Sequence, residues 1–182
     1  MSRTILSLSQ FGIFVIAVSL LFSASSVYGH GFGIDTISSV DVQGKKISIS
    51  VELPMFFEQA GEKQITITAT EDETKENAKN VTFLVGLFHE NKMIFRNYFF
   101  TSDGVLSIKI NSTQEGEITI HGNQDSLLGA WHGTESNPIM ISGPIFNSGG
   151  LYNFEIEVRT IDEPTNIIEN SGVYNADLSI VD

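Results

Sequence analysis

Apolar and polar residues alternate with a period of two through most of this chain, and no run of three helical turns interrupts them. Ile47, Ile49, Val51 and Leu53 alternate with Lys46, Ser48, Ser50 and Glu52. Ile65, Ile67 and Ala69 alternate with Gln64, Thr66, Thr68 and Thr70. The same pattern recurs at Leu106, Ile108 and Ile110, at Tyr152, Phe154, Ile156 and Val158, and at Tyr174, Ala176, Leu178 and Ile180. Successive side chains of a strand point to opposite faces, so the pattern dictates strands with one buried and one wet face. Residues 81–89 (VTFLVGLFH) and 92–100 (KMIFRNYFF) are apolar on both phases. They read as central strands joined by a tight hairpin at Glu90-Asn91. Asp103-Gly104 then turns the chain into a strand over 105–110, and further strands are predicted over 117–121 and within 138–146. Residues 71–79 (EDETKENAK) permit a helix but carry no apolar stripe. About eight or nine short strands with turns between them predict an all-β fold, an antiparallel immunoglobulin-like β-sandwich. Ile49, Val51, Ile67, Phe83, Val85, Leu106, Ile108, Phe154, Ile156 and Leu178 are expected to share its core.

Ahead of the strands stands a segment of different character. Arg3 supplies a positive start, residues 11–22 (FGIFVIAVSLLF) an apolar stretch, and residues 23–29 (SASSVYG) a small, mildly polar end. This is the layout of a secretory signal peptide over residues 1–29, with Val27 and Gly29 at the −3 and −1 positions of the cleavage site. Retention of residues 5–22 as an uncleaved anchor is the alternative, and Ser7, Ser9 and Gln10 weaken it. Cleavage leaves residues 30–182, enough for one domain. No second apolar run reaches the roughly 18 residues of a membrane helix, so no membrane insertion is expected after cleavage. The chain has no Cys, which removes thiolate metal sites and Cys nucleophiles. Its formal net charge of −12 repels phosphate backbones and argues against nucleic-acid binding.

Cleavage after Gly29 makes His30 the first mature residue, offering its α-amine and imidazole to a single metal ion. Nitrogen ligands in a tetragonal arrangement suit Cu(II). A further imidazole is available from His121 or His132, both in a long loop predicted over 121–137. The bland alternative is a solvated terminus with surface histidines. His89, beside Glu90, reads as a turn residue. Glu71, Asp72 and Glu73 read as a solvated acidic loop, since the spacing of a calcium loop is absent. Glu155 and Glu157 share a predicted strand face with Arg159 and read as wet exterior. No G-x-S-x-G elbow, HExxH or phosphate loop is present, so no catalytic residue is assigned. Asn80 and Asn111 begin N-x-S/T triplets and are candidate glycosylation sites. Trp131, the single Trp, is either a plug over the end of the sandwich or a partner anchor.

Four stretches carry a resemblance. HGFG (30–33), NVTFLVGLFHENKMIFRNYFFTSDGVLSIKI (80–110), GPIF (143–146) and GGLY (149–152) look like a family of uncharacterised secreted proteins of ammonia-oxidising archaea. The resemblance covers most of the mature chain. It implies an extracytoplasmic setting in organisms whose exported proteins use copper heavily, and it brings no assigned activity. Relatives that carry Cys in the long loop differ from this chain, so no disulfide or thiol role carries over. The strand–hairpin–strand section also resembles immunoglobulin-like modules in general, which speaks to fold alone.

The reading that follows is a secreted, non-catalytic binding or accessory module at the cell surface, partnered with an envelope protein. The alternative is a copper-binding protein, carrier or monooxygenase type, built on His30. The copper alternative makes a direct prediction. Processed protein should bind Cu(II), and either one extra residue before His30 or His30→Ala should weaken binding strongly, as read by competition with a chromophoric chelator. Equal affinity in the extended and native-terminus forms eliminates that alternative.

Overall fold

The computed structural model describes residues 34–53, 63–126, 128–169 and 171–180. The predicted signal peptide and His30 lie outside these residues. Twelve strands follow one another in the described chain, with no helix among them: β1 (Ile34–Val42), β2 (Lys45–Glu52), β3 (Lys63–Glu71), β4 (Val81–His89), β5 (Lys92–Thr101), β6 (Val105–Ser112), β7 (Thr119–His121), β8 (Asn123–Gln124), β9 (Trp131–His132), β10 (Ile139–Gly143), β11 (Gly150–Thr160) and β12 (Tyr174–Ile180). They form two six-stranded sheets: sheet A in the order β1-β2-β3-β6-β10-β7, and sheet B in the order β12-β11-β4-β5-β9-β8.

The alternation translates directly into faces. Ile47, Ile49 and Val51 of β2, Ile65 and Ile67 of β3, and Leu106, Ile108 and Ile110 of β6 are fully buried on one side of sheet A. Phe83, Val85 and Leu87 of β4, Phe99 of β5, and Phe154, Ile156 and Val158 of β11 are fully buried on one side of sheet B. All belong to one apolar cluster, and each of the ten residues expected in the core is in it. Register supports the layer: Phe83 stands opposite Phe99, Phe154 opposite Leu87, and Ile67 opposite Leu106.

The Glu90-Asn91 turn is as expected. Both residues have positive φ, 51° and 61°, the requirement of a two-residue turn matched to strand twist. Gly104, at φ 79°, carries the chain from sheet B into sheet A. A Cβ there would lie 2.3 Å from the Ala78 carbonyl oxygen, so only glycine fits.

Three expectations need correction. The sheets are mixed, since β10 runs parallel to β6 and β9 parallel to β5. After β6 and β7 the chain crosses to sheet B for β8 and β9, then returns to sheet A as β10, so it arrives in the direction of β6. Residues 121–137 are not simply a loop, because β8 and β9 pair there and extend sheet B. The strand count exceeds nine because β8 and β9 have two residues each, too few to alternate, and because β1 is bulged. In β1, Ile37 pairs with Ile49 and Val40 with Ile47. Three steps on one strand match two on the other, which breaks the period that would reveal it.

A polar network joins the exposed side of this frame. Lys45 Nζ donates to Asp162 at 2.7 Å and pairs with Glu71, tying β2 and β3 to the segment after β11. Lys45, and then Thr74, hold the Glu71 carboxyl below its ordinary range. Ser48, and then Ser39, do the same for Asp72. Lys45 is raised, chiefly by its bond to Asp162 and then by Glu71.

Two outcomes test this fold. Phe154→Ala should cost about 3–5 kcal/mol in chemical denaturation, the usual loss for a fully buried Phe. A carboxylate whose folded pKa is depressed stabilises above its ordinary range, and that stability is lost as pH falls through the folded value. Denaturation midpoints should therefore decline below about pH 4, and Asp72→Asn should flatten that acid limb.

Candidate functional site

The hairpin of β4 and β5 brings unusual side chains together. Its outward phase should be polar in an ordinary sandwich. Here it is Leu84, Gly86 and Phe88 beside Thr82 on β4, with Tyr98 and Phe100 beside Arg96 on β5. Cross-strand register sets these in rows. Asp177, Asn153, Phe88 and Met93 lie across the hairpin end of sheet B. Asn175, Glu155, Gly86 and Arg96 form the next row, and Glu157, Leu84 and Tyr98 the one after. Phe100, His132 and Asn123 continue towards the β8 edge. A Cβ on Gly86 would meet the Phe88 ring at 2.9 Å and the Arg96 stem at 3.7 Å, so both side chains lie across the bare backbone. The result is an apolar and aromatic strip down the middle of the face. Tyr98 is 40% exposed, and Met93 and Leu151 beside the strip are 56% and 58% exposed. Glu157 borders it and is held by Arg96 at 2.6 Å and by Arg159 at 3.1 Å.

At the tip, His89 stands directly opposite Tyr152 in the ladder. Their rings stack at 4.2 Å with 7° between planes. Tyr152 is buried, and its hydroxyl donates to the Ser148 carbonyl, four residues upstream, at 3.0 Å. The Phe146 ring meets Tyr152 edge-on at 4.8 Å. Behind Phe146, Lys63 donates to the Phe146 carbonyl at 3.1 Å, and burial pushes its pKa down. A continuous series of contacts thus runs from the buried Lys63 to the His89 ring. His89 and Glu90 divide two clefts. One, of about 580 Å³, is lined by Lys92, Met93, Ile94, Ile118, Pro144 and Asn147 among others. The other, of about 710 Å³, is lined by Phe88, Leu151, Asn153, Glu155 and Asp177 among others.

The residues singled out from sequence are dispersed. His121 is exposed on β7 opposite Met140, on the outer face of sheet A. His132 is exposed on β9, and its ring lies 4.8 Å from that of Phe100 on the outer face of sheet B. Trp131 is half-buried and packs against the core in register with Phe99. Asn80 adopts φ 49°, and its amide donates to the Asp162 carbonyl at 2.9 Å. Asn111 is exposed on β6. Glu155 and Glu157 face outward with Arg159, as expected. Among the described residues, no three His, Asp or Glu side chains cluster in a way that would hold a metal ion.

From sequence His89 is a turn residue, and no local pattern links it to Tyr152. The apolar face did leave a signal, since 81–89 and 92–100 are apolar on both phases. That pattern fits a strand buried on both sides or one with an apolar outer face, and among the described residues no layer covers the outer side of sheet B. Compared with known proteins, the chain matches no family model, no curated protein and no solved structure.

Tyr152→Phe should cost about 1 kcal/mol, the usual net value of one hydrogen bond, because Ser148 loses its donor. Urea denaturation measures that loss, and the shift of the His89 imidazole protons in NMR reports whether the stacking survives.

Proposed function

We propose that this chain is a secreted, non-catalytic binding module of the cell surface that docks an envelope protein through the outer face of sheet B. One observation carries the reading: of the six large apolar residues that stand exposed among the described residues, Met93, Tyr98 and Leu151 gather on this face or at its clefts. Single exposed apolar residues are ordinary, whereas a contiguous strip rimmed by charge is typical of interaction surfaces. Leu84, Phe88 and Phe100, each half-buried, add to the strip, which the Arg96 stem crosses at Gly86. Aromatic residues also supply much of the energy where proteins meet.

The fold we read as immunoglobulin-like, which speaks to architecture alone. The order β12-β11-β4-β5 follows the G-F-C-C′ order of such domains. Tyr152, near the start of β11 with its hydroxyl on the Ser148 carbonyl, stands where those domains carry a tyrosine corner. The parallel β6–β10 pair is a departure from that plan.

A photoreactive residue placed at Tyr98 should give a specific adduct in envelope preparations of the source cells, competed by excess mature chain. The same probe at Met140, exposed on the other sheet, should not. Tyr98→Glu and Leu151→Glu should abolish the competition while changing stability by less than about 0.5 kcal/mol, as surface substitutions do. Equal adducts from both positions, or none from Tyr98, would rule this reading out.

A further inference from the structure

We propose that the open edge of β5 takes up one extended segment of the partner as an added strand. This rests on the binding-module reading and specifies how the partner is held. β5 pairs with β4 along its length, but among the described residues only Phe99 and Phe100 have a strand neighbour on its other edge, in β9. Residues 93–98 have no strand beside them among the described residues, a stretch of about 20 Å at ~3.4 Å per residue. Every second residue of a strand presents both its N–H and its C=O to one edge, so this stretch carries a row of backbone donors and acceptors without strand partners. Such groups call for a strand.

At its hairpin-tip end the edge opens onto the cleft of about 580 Å³, which Met93 and Ile94 of β5 line together with His89, Ile118 and Pro144. Ile94 and Ile118 are only partly buried and pack against the core. A strand laid along β5 would pair its backbone with the edge and set alternate side chains over these two residues. The segment should therefore be apolar at every second position and free of proline where it pairs.

A second copy fits less well. β5 has one extra residue at its tip end, because Leu87 pairs with Phe95 and Phe88 with Met93. The bulge bends the edge away from a flat second sheet, while a single flexible segment follows the bend. Two-fold pairing of β5 with its copy would also bring two Arg96 side chains onto one short stretch, where like charges repel.

The test uses the mature chain panned against a random phage-displayed peptide library. Enriched peptides should show apolar residues at alternate positions, and proline at a central position should weaken binding at least about tenfold. Hydrogen exchange should show amides within 93–98 open in the free chain and protected in the complex. Ile118→Lys, confirmed folded by circular dichroism, should weaken binding, whereas Met140→Glu on the outer face of sheet A should leave it unchanged. The proposal is overturned by absence of enrichment, by peptides without alternation, by protection elsewhere, or by edge amides already protected in the free chain. Protection of the same amides in a dimer seen by sedimentation would also overturn it and assign the edge to a second copy. Loss of the Tyr98 adduct specificity with edge protection intact would instead remove the outer-face reading alone.

Discussion

The apolar layer between the two sheets is the constraint on which everything else depends. The chain has no cysteine, so no disulfide pins one sheet to the other. Association rests on burying Phe83, Phe99 and Phe154 with Ile49, Ile67, Leu106 and Ile108 in one cluster. That burial also enforces register. A slip of one residue in β11 would turn Glu155 and Glu157 inward and Phe154 and Ile156 outward, and no short-range gain offsets such an exchange.

The same constraint sets the outer face of sheet B. Satisfying the layer needs Phe83, Val85 and Leu87 inward, which leaves Leu84 and Phe88 outward on the most central strand of sheet B. Both are half-buried there, and the Phe88 ring lies across the bare Gly86 backbone. The open β5 edge also follows from chain routing. The Asp103-Gly104 turn sends the chain to sheet A, so the strand after β5 in sequence is not its neighbour in space. Among the described residues, only the short β9 returns to cover part of that edge.

His89 shows how a site is assembled from distant residues. Its stacking on Tyr152, the Tyr152 bond to Ser148, and the Lys63 bond to the Phe146 carbonyl join three separate parts of the chain. His89, Tyr152 and Ser148 lie at the end of the interior that borders the cleft of about 580 Å³. Buried polar groups retain their hydrogen bonds there because losing one leaves an uncompensated donor or acceptor.

Alternation by itself determined the all-β class, the identity of the core residues, the outward placement of Glu155 and Glu157, and the β4–β5 hairpin with its turn at Glu90-Asn91. These are local properties: period two assigns a side chain to a face, and turn chemistry joins neighbouring strands. Strand order, the parallel pairs, the β8–β9 extension and the meeting of His89 with Tyr152 were decided only in the tertiary structure. Period two says which face a residue takes but not which strand lies alongside or in what direction. That choice depends on packing between residues far apart in the chain, and in β1 a bulge removed even the local signal.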